Sequence, residues 1–142
     1  MRLENRILVV DDDDAIRALL RTVLRRRGFH VDTARNGLDA LEQIGARRYA
    51  LVVLDLMMPR MSGYEVVAQL SEQSVMTRPR VLVLTAAGVE PLKVTVTDLV
   101  VGTMQKPFDI DLLLDTVTGC IEAIPAALVA EEVPLPADSR LN

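Results

Sequence analysis

The chain has 142 residues, half of them apolar and a quarter charged, with two Tyr, two Phe, no Trp and a formal net charge of −4. That apolar content excludes disorder throughout, and no run approaches the roughly 18 uncharged apolar residues a membrane span needs. One cysteine (Cys120) and one histidine (His30) exclude an internal disulfide and argue against a cysteine zinc cluster or a Ser-His-Asp apparatus; the acidic balance gives no reason to expect direct nucleic-acid binding.

Along the chain a short apolar run followed by an amphipathic stretch recurs. Ile7-Leu8-Val9-Val10 reads as a strand covered on both faces. Asp11 to Asp14 follow, and Asp13 and Asp14 suit the cap and first turn of a helix. Ile16, Leu19, Leu20, Val23 and Leu24 form one helical stripe, closed by Arg25 to Arg27 and Gly28. Arg17, Arg21, Arg25 and Arg26 give that helix a basic face. His30 to Thr33 is a second, weaker strand. Asn36-Gly37 signals a turn, and Leu38, Leu41 and Ile44 mark a short helix.

Ala50 to Leu54 is the third strand, ending on Asp55. Pro59 and Gly63 bracket a loop before a third helix that starts at Tyr64, and Arg80 to Leu84 is a fourth strand ending on Thr85. Val89, Leu92, Val96 and Leu99 step as a helical stripe although Val94 to Thr97 favours strand by propensity. Val100 to Gln105 is a fifth strand leading to Lys106-Pro107-Phe108, and Asp109 caps a last helix through Leu112, Leu113, Val117 and Ile121. The reading divides the chain into a folded domain over 1–124 and a flexible tail or truncated linker over 125–142, where Pro134 and Pro136 break any helix.

Strands alternating with helices predict a parallel sheet with helices on both faces. Ligands then bind beyond the carboxyl ends of the strands. Asp11, Asp12, Asp55, Thr85 and Lys106 each stand at such an end. Two carboxylates about 5 Å apart repel by roughly 3 kcal/mol at an effective dielectric near 20, so a cluster raises a pKa or recruits a cation. Hard oxygens favour Mg²⁺. A carboxylate beside that metal suits phosphoryl acceptance, with a hydroxyl and an ammonium to hold phosphoryl oxygens.

Leu8 to Asp12, Leu54 to Gly63, Leu84-Thr85-Ala86 and Lys106-Pro107-Phe108 together resemble the motifs of response-regulator receiver domains of two-component signalling, over about residues 5–123. The resemblance implies an α/β, flavodoxin-like fold: a five-stranded parallel sheet of order 2-1-3-4-5. It implies Asp55 as phosphoacceptor, Asp11 and Asp12 as Mg²⁺ ligands with Asp55 and the Met57 backbone carbonyl, Thr85 as the switch hydroxyl, and Lys106 as the phosphoryl partner. It also implies a Lys106–Pro107 bond that is commonly cis, and room at Ala86 for the phosphoryl group.

The implied donor is a sensor histidine kinase or histidine phosphotransfer protein; the composition and the opening residues, which read as no signal peptide, are themselves read as those of a cytoplasmic chain. A homodimer through the helix expected over Val89 to Leu99, the fifth strand and the last helix is a further expectation. Receivers usually carry an aromatic residue three positions before the lysine, and Thr103 stands there instead. Two alternatives stay open: a receiver-like interaction module without a working switch, and a small haloacid-dehalogenase-type phosphohydrolase using Asp11.

Overall fold

Strand-forming runs that are apolar at every position must be covered on both sides, and each one here is. In the computed structural model, which describes residues 6–86 and 99–122, the order is β1 (Arg6–Val10), α1 (Asp14–Arg26), β2 (His30–Ala34), α2 (Gly37–Ala46), β3 (Leu51–Asp55), α3 (Gly63–Ser71), β4 (Arg80–Thr85), β5 (Val100–Gln105) and α4 (Ile110–Glu122). The strands form one parallel sheet of order β2-β1-β3-β4-β5, the expected α/β architecture.

Alternation along each strand divides the core. Leu8, Val10, Val52, Leu54, Val81 and Val83 pack with Ala40 of α2 and with Val66 and Leu70 of α3. Ile7, Val9, Leu51, Val53, Leu82 and Leu84 pack on the opposite face with Leu20 and Leu24 of α1 and Leu113 and Val117 of α4. Each such side chain, fully buried, contributes about 1.5–3 kcal/mol. Burial on both faces makes a one-residue register slip costly, which pins every strand's carboxyl end.

Caps fix where the helices begin. Asp13 accepts from the Ile16 N–H and Asn36 from the Asp39 N–H, at 3.0 and 2.8 Å. Asn36-Gly37 is therefore a helix start as well as a chain turn. Ser62 and Glu65 form a reciprocal capping box that starts α3 at Gly63, one residue before the expected Tyr64. Gly28 takes a φ of +97° beyond α1, a conformation that favours glycine.

The third and fourth strands end on Asp55 and Thr85 as expected, and the register of the fifth is a detail the sequence reading did not contain. Asp55 lies within β3, paired with Leu84, and Thr85 lies within β4, paired with Gln105. Both functional candidates thus belong to the ladder rather than to the loops after it. In β5 the register steps from Val81↔Val100 to Leu82↔Gly102, so Val101 is an extra residue in a bulge. The bulge leaves Thr103 exposed opposite Val83. The helix expected through Val89, Leu92 and Val96 lies outside the described residues, as does the tail over 125–142; Leu99 sits in a buried bend.

Candidate functional site

Because β1 and β3 are neighbours in the sheet, the residues closing them meet. Asp11, directly after β1, is fully buried, and Asp55 is 3% exposed. Asp12 turns outward and is exposed. One carboxylate oxygen from each of Asp11, Asp12 and Asp55 lies within 4.8 Å of the others. The Lys106 ammonium reaches in from the end of β5, 2.9 Å from Asp11 Oδ2 and 3.4 Å from Asp55 Oδ2.

Backbone groups hold both buried aspartates. The Asp11 N–H donates to the Ala34 carbonyl at 3.2 Å, which ties β1's end to β2. Asp11 Oδ1 accepts from the Asp13 N–H at 2.9 Å, and the Asp11 carbonyl accepts from the Arg17 guanidinium at 2.8 Å. Asp55 Oδ1 accepts from the Met57 N–H at 3.0 Å. The Met57 backbone thus folds over the carboxylate while its side chain stays exposed. The Lys106 N–H donates to the Thr85 carbonyl at 2.7 Å, and the Lys106–Pro107 bond is cis. Thr85 is buried, with its hydroxyl 3.4 Å from the Met104 carbonyl.

Burial pushes the Asp55 carboxyl up from 3.8 to about 6. The Met57 N–H and Lys106 oppose that rise, and the charge of Asp11 adds to it. Lys106 moves up from its ordinary value: burial pulls it down, but the Asp11 and Asp55 carboxylates together outweigh that. Three carboxylates against one ammonium leave an excess of two negative charges, with Asp11 and Asp55 buried and Asp12 exposed. This is a hard-oxygen donor set with charge to spare, and it fits Mg²⁺.

The expected site residues stand together at this edge, Met57 among them through its N–H on Asp55. His30 is exposed at the start of β2, away from the pocket, and Cys120 is half-buried on α4, its thiol pushed up by burial.

Sequence reasoning missed the role of Gly63, read only as the end of a loop. A Cβ there would lie 2.5 Å from the Asp55 carbonyl oxygen and 2.6 Å from Leu56 Cα. The Gly63 N–H also donates to the Leu56 carbonyl at 3.0 Å. Only a residue without a side chain lets α3 start against the strand that carries Asp55. Its signal in the sequence is the glycine directly after a Ser-x-x-Glu-type cap.

A family model described as the response regulator receiver domain matches residues 7–118. The chain belongs to that family. Among curated proteins it is similar to the transcriptional regulatory protein SrrA of Staphylococcus aureus, 40% identical over 92 residues, which is 65% of this chain and 37% of SrrA. The chain therefore spans little more than a third of the length of the curated relatives it matches.

Among solved structures, a receiver domain from Bermanella marisrubri superposes with a TM-score of 0.76 at 36% identity, over 84% of this chain and 99% of that one. TrrA from Thermotoga maritima, solved in complex with Mg²⁺–BeF, gives 0.71 at 33% identity, over 83% and 99%. Receiver domains take up Mg²⁺ through an acidic pocket of this kind and are phosphorylated by histidine kinases. The match favours the receiver reading over a hydrolase built on Asp11. Among the described residues, no helix is long and apolar enough to cross a membrane.

Proposed function

We propose that Asp55 is the phosphoacceptor of this receiver. A carboxylate oxygen of Asp55 attacks the phosphorus of a phosphohistidine on a sensor kinase or phosphotransfer protein. The P–N bond breaks, the histidine leaves with the electron pair, and an acyl phosphate forms on Asp55. Water later attacks phosphorus and returns the carboxylate and inorganic phosphate. The domain turns over no external substrate beyond this cycle.

Each residue's task follows from its place. β3 holds Asp55 in the ladder beside Leu84, so the nucleophile needs little further ordering. Burial and Asp11 keep its carboxylate weakly stabilised, which favours transfer of its charge to an incoming phosphoryl group. Lys106, already 3.4 Å from Asp55 Oδ2, exchanges a carboxylate contact for a phosphoryl oxygen. Thr85, on the adjacent strand, supplies a hydroxyl to another. Asp11, Asp12, Asp55 and the Met57 carbonyl would hold Mg²⁺, which supplies neutralisation of the phosphoryl oxygens. The observation that carries the reading is the buried Asp55 beside Lys106 and two further carboxylates at one sheet edge.

The same reading places the receiver over 1–124 with a tail or linker beyond it, in the cytoplasm. It places its output in protein contacts, with self-association through β5, α4 and the segment between β4 and β5. The exposed Thr103 favours a second reading of that output, in which phosphorylation leaves β5 unchanged.

Incubation with acetyl phosphate and Mg²⁺, followed by intact mass, tests the acceptor. One phosphoryl group should be gained, and the gain lost in Asp55→Asn and without Mg²⁺. No gain, even with a phosphodonor kinase, overturns it. Amide shifts of β5 on phosphorylation separate a working switch from the second reading.

A further inference from the structure

Arg17 is the one arginine of α1 whose side chain turns back toward the end of β1. Its side chain is only 15% exposed, although it lies on the helix that otherwise presents Arg21, Arg25 and Arg26 to solvent. One N–H of the guanidinium donates to the Asp11 backbone carbonyl at 2.8 Å, and a second arm pairs with the Asp14 carboxylate in the first turn of α1.

The Asp11 carbonyl belongs to the peptide that leads into Asp12. The other restraints on Asp11 fix different atoms: its N–H is held by Ala34, Oδ1 by Asp13 and Oδ2 by Lys106. Among the described contacts, Arg17 makes the one hydrogen bond to an atom of the Asp11–Asp12 peptide itself. The plane of that peptide decides where the Asp12 side chain projects. Among the described contacts Asp12 makes no hydrogen bond or ion pair of its own, yet its carboxylate shares the 4.8 Å cluster with Asp11 and Asp55.

We propose that Arg17 is a positioning residue: its fork, anchored on Asp14, holds the Asp11–Asp12 peptide so that the two carboxylates face one Mg²⁺ together with Asp55. This rests on the receiver reading above. A planar guanidinium can span a carbonyl and a carboxylate at once, whereas an ammonium presents a single point. The fork is therefore part of the function.

Charge and position make opposite demands, which makes the proposal testable. Removing a cation beside an acidic pocket should by itself tighten Mg²⁺ binding. Losing the peptide restraint should weaken it. The experiment is a Mg²⁺ titration of the full chain, followed by amide shifts of Asp11, Asp12 and Met57, on the wild type, Arg17→Gln, Arg17→Lys and Arg21→Gln. Thermal unfolding without Mg²⁺ reports folding in parallel.

The expected result is a Kd about tenfold higher for Arg17→Gln and about threefold higher for Arg17→Lys, which keeps the charge and loses the fork. Arg21→Gln, which loses the same charge from the same helix, should stay within twofold. Unchanged or tighter binding in Arg17→Gln overturns the proposal. Should that variant fail to fold, Arg17→Lys decides: wild-type affinity overturns the fork, weaker affinity supports it. Equal weakening in Arg21→Gln shows an effect that is not specific to the Arg17 fork and also overturns it. If the wild type binds no Mg²⁺ at all, the receiver reading fails and this inference with it. If the wild type binds and all variants match it, only Arg17's role fails.

Discussion

Two charged clusters flank the same sheet and are built on opposite principles. Beside the edge strand β2, Asp32 accepts from the Tyr49 hydroxyl at 2.7 Å and faces Arg6 at 3.5 Å and Arg47 at 3.8 Å. One negative charge meets two positive ones, and Gln43 closes the network on Tyr49 and on the Thr33 carbonyl. At the carboxyl edge, three carboxylates cluster beside a single ammonium, which pairs with two of them. The first cluster satisfies its charge within the protein. The second leaves charge unsatisfied in a buried place, which is costly for folding and useful only to a ligand that supplies the missing charge. Charge balance, more than the mere presence of aspartates, separates the structural cluster from the functional one.

The same substitution at the two clusters should therefore change stability in opposite directions. The Asp55 carboxyl titrates near 6 in the folded protein against 3.8 unfolded. Between those values the folded chain holds a proton that the unfolded chain has released, so stability without Mg²⁺ falls as pH rises from about 4 to 6 and is level above that. Asp55→Asn removes this loss. At pH 7 it should be about 2–3 kcal/mol more stable than the wild type, and close to it at pH 4, by urea unfolding at each pH. Equal stability at pH 7 would break the comparison.

Mg²⁺ should recover what the open charge costs. At ten times its Kd it should stabilise the wild type by about 1.4 kcal/mol at pH 7.5. The gain should shrink at pH 5, where a proton occupies Asp55, and should largely vanish in Asp55→Asn. Asp32→Asn, by contrast, takes the charge from a compensated cluster. It should lose about 1 kcal/mol by urea unfolding and leave the Mg²⁺ response intact.

The carboxyl-edge cluster was readable because topology alone assembles it. Continuous apolar runs fix parallel strands, and parallel strands put Asp11, Asp55, Thr85 and Lys106 on one edge whatever the loops do. The β2 cluster was not readable: Tyr49 and Asp32 are 17 residues apart on no shared period, and nothing local distinguishes Asp32 from any strand aspartate. Gly63 and Arg17 escaped for a related reason. Each acts on backbone atoms of another element, and a backbone contact leaves no mark on residue type beyond one glycine or one arginine among several. The bulge at Val101 was hidden because Val100-Val101-Gly102-Thr103 reads as uninterrupted strand, and register is a property of the partner.

The smallest effect probes the closed cluster from its other side. Tyr49 is 3% exposed, and burial first, then Asp32, hold its hydroxyl above its ordinary value. It therefore stays a donor around neutral pH. Tyr49→Phe keeps the ring in the core cluster it belongs to and deletes only that donor. Asp32 then retains Arg6 and Arg47, and its side chain, 30% exposed, can admit water where the hydroxyl stood. The loss should be about 0.5–1 kcal/mol, with Mg²⁺ affinity and phosphoryl gain unchanged. A cost above about 2 kcal/mol, the scale of a stranded buried charge, would mean that the two arginines do not compensate Asp32. The contrast between the clusters would then rest on the carboxyl edge alone.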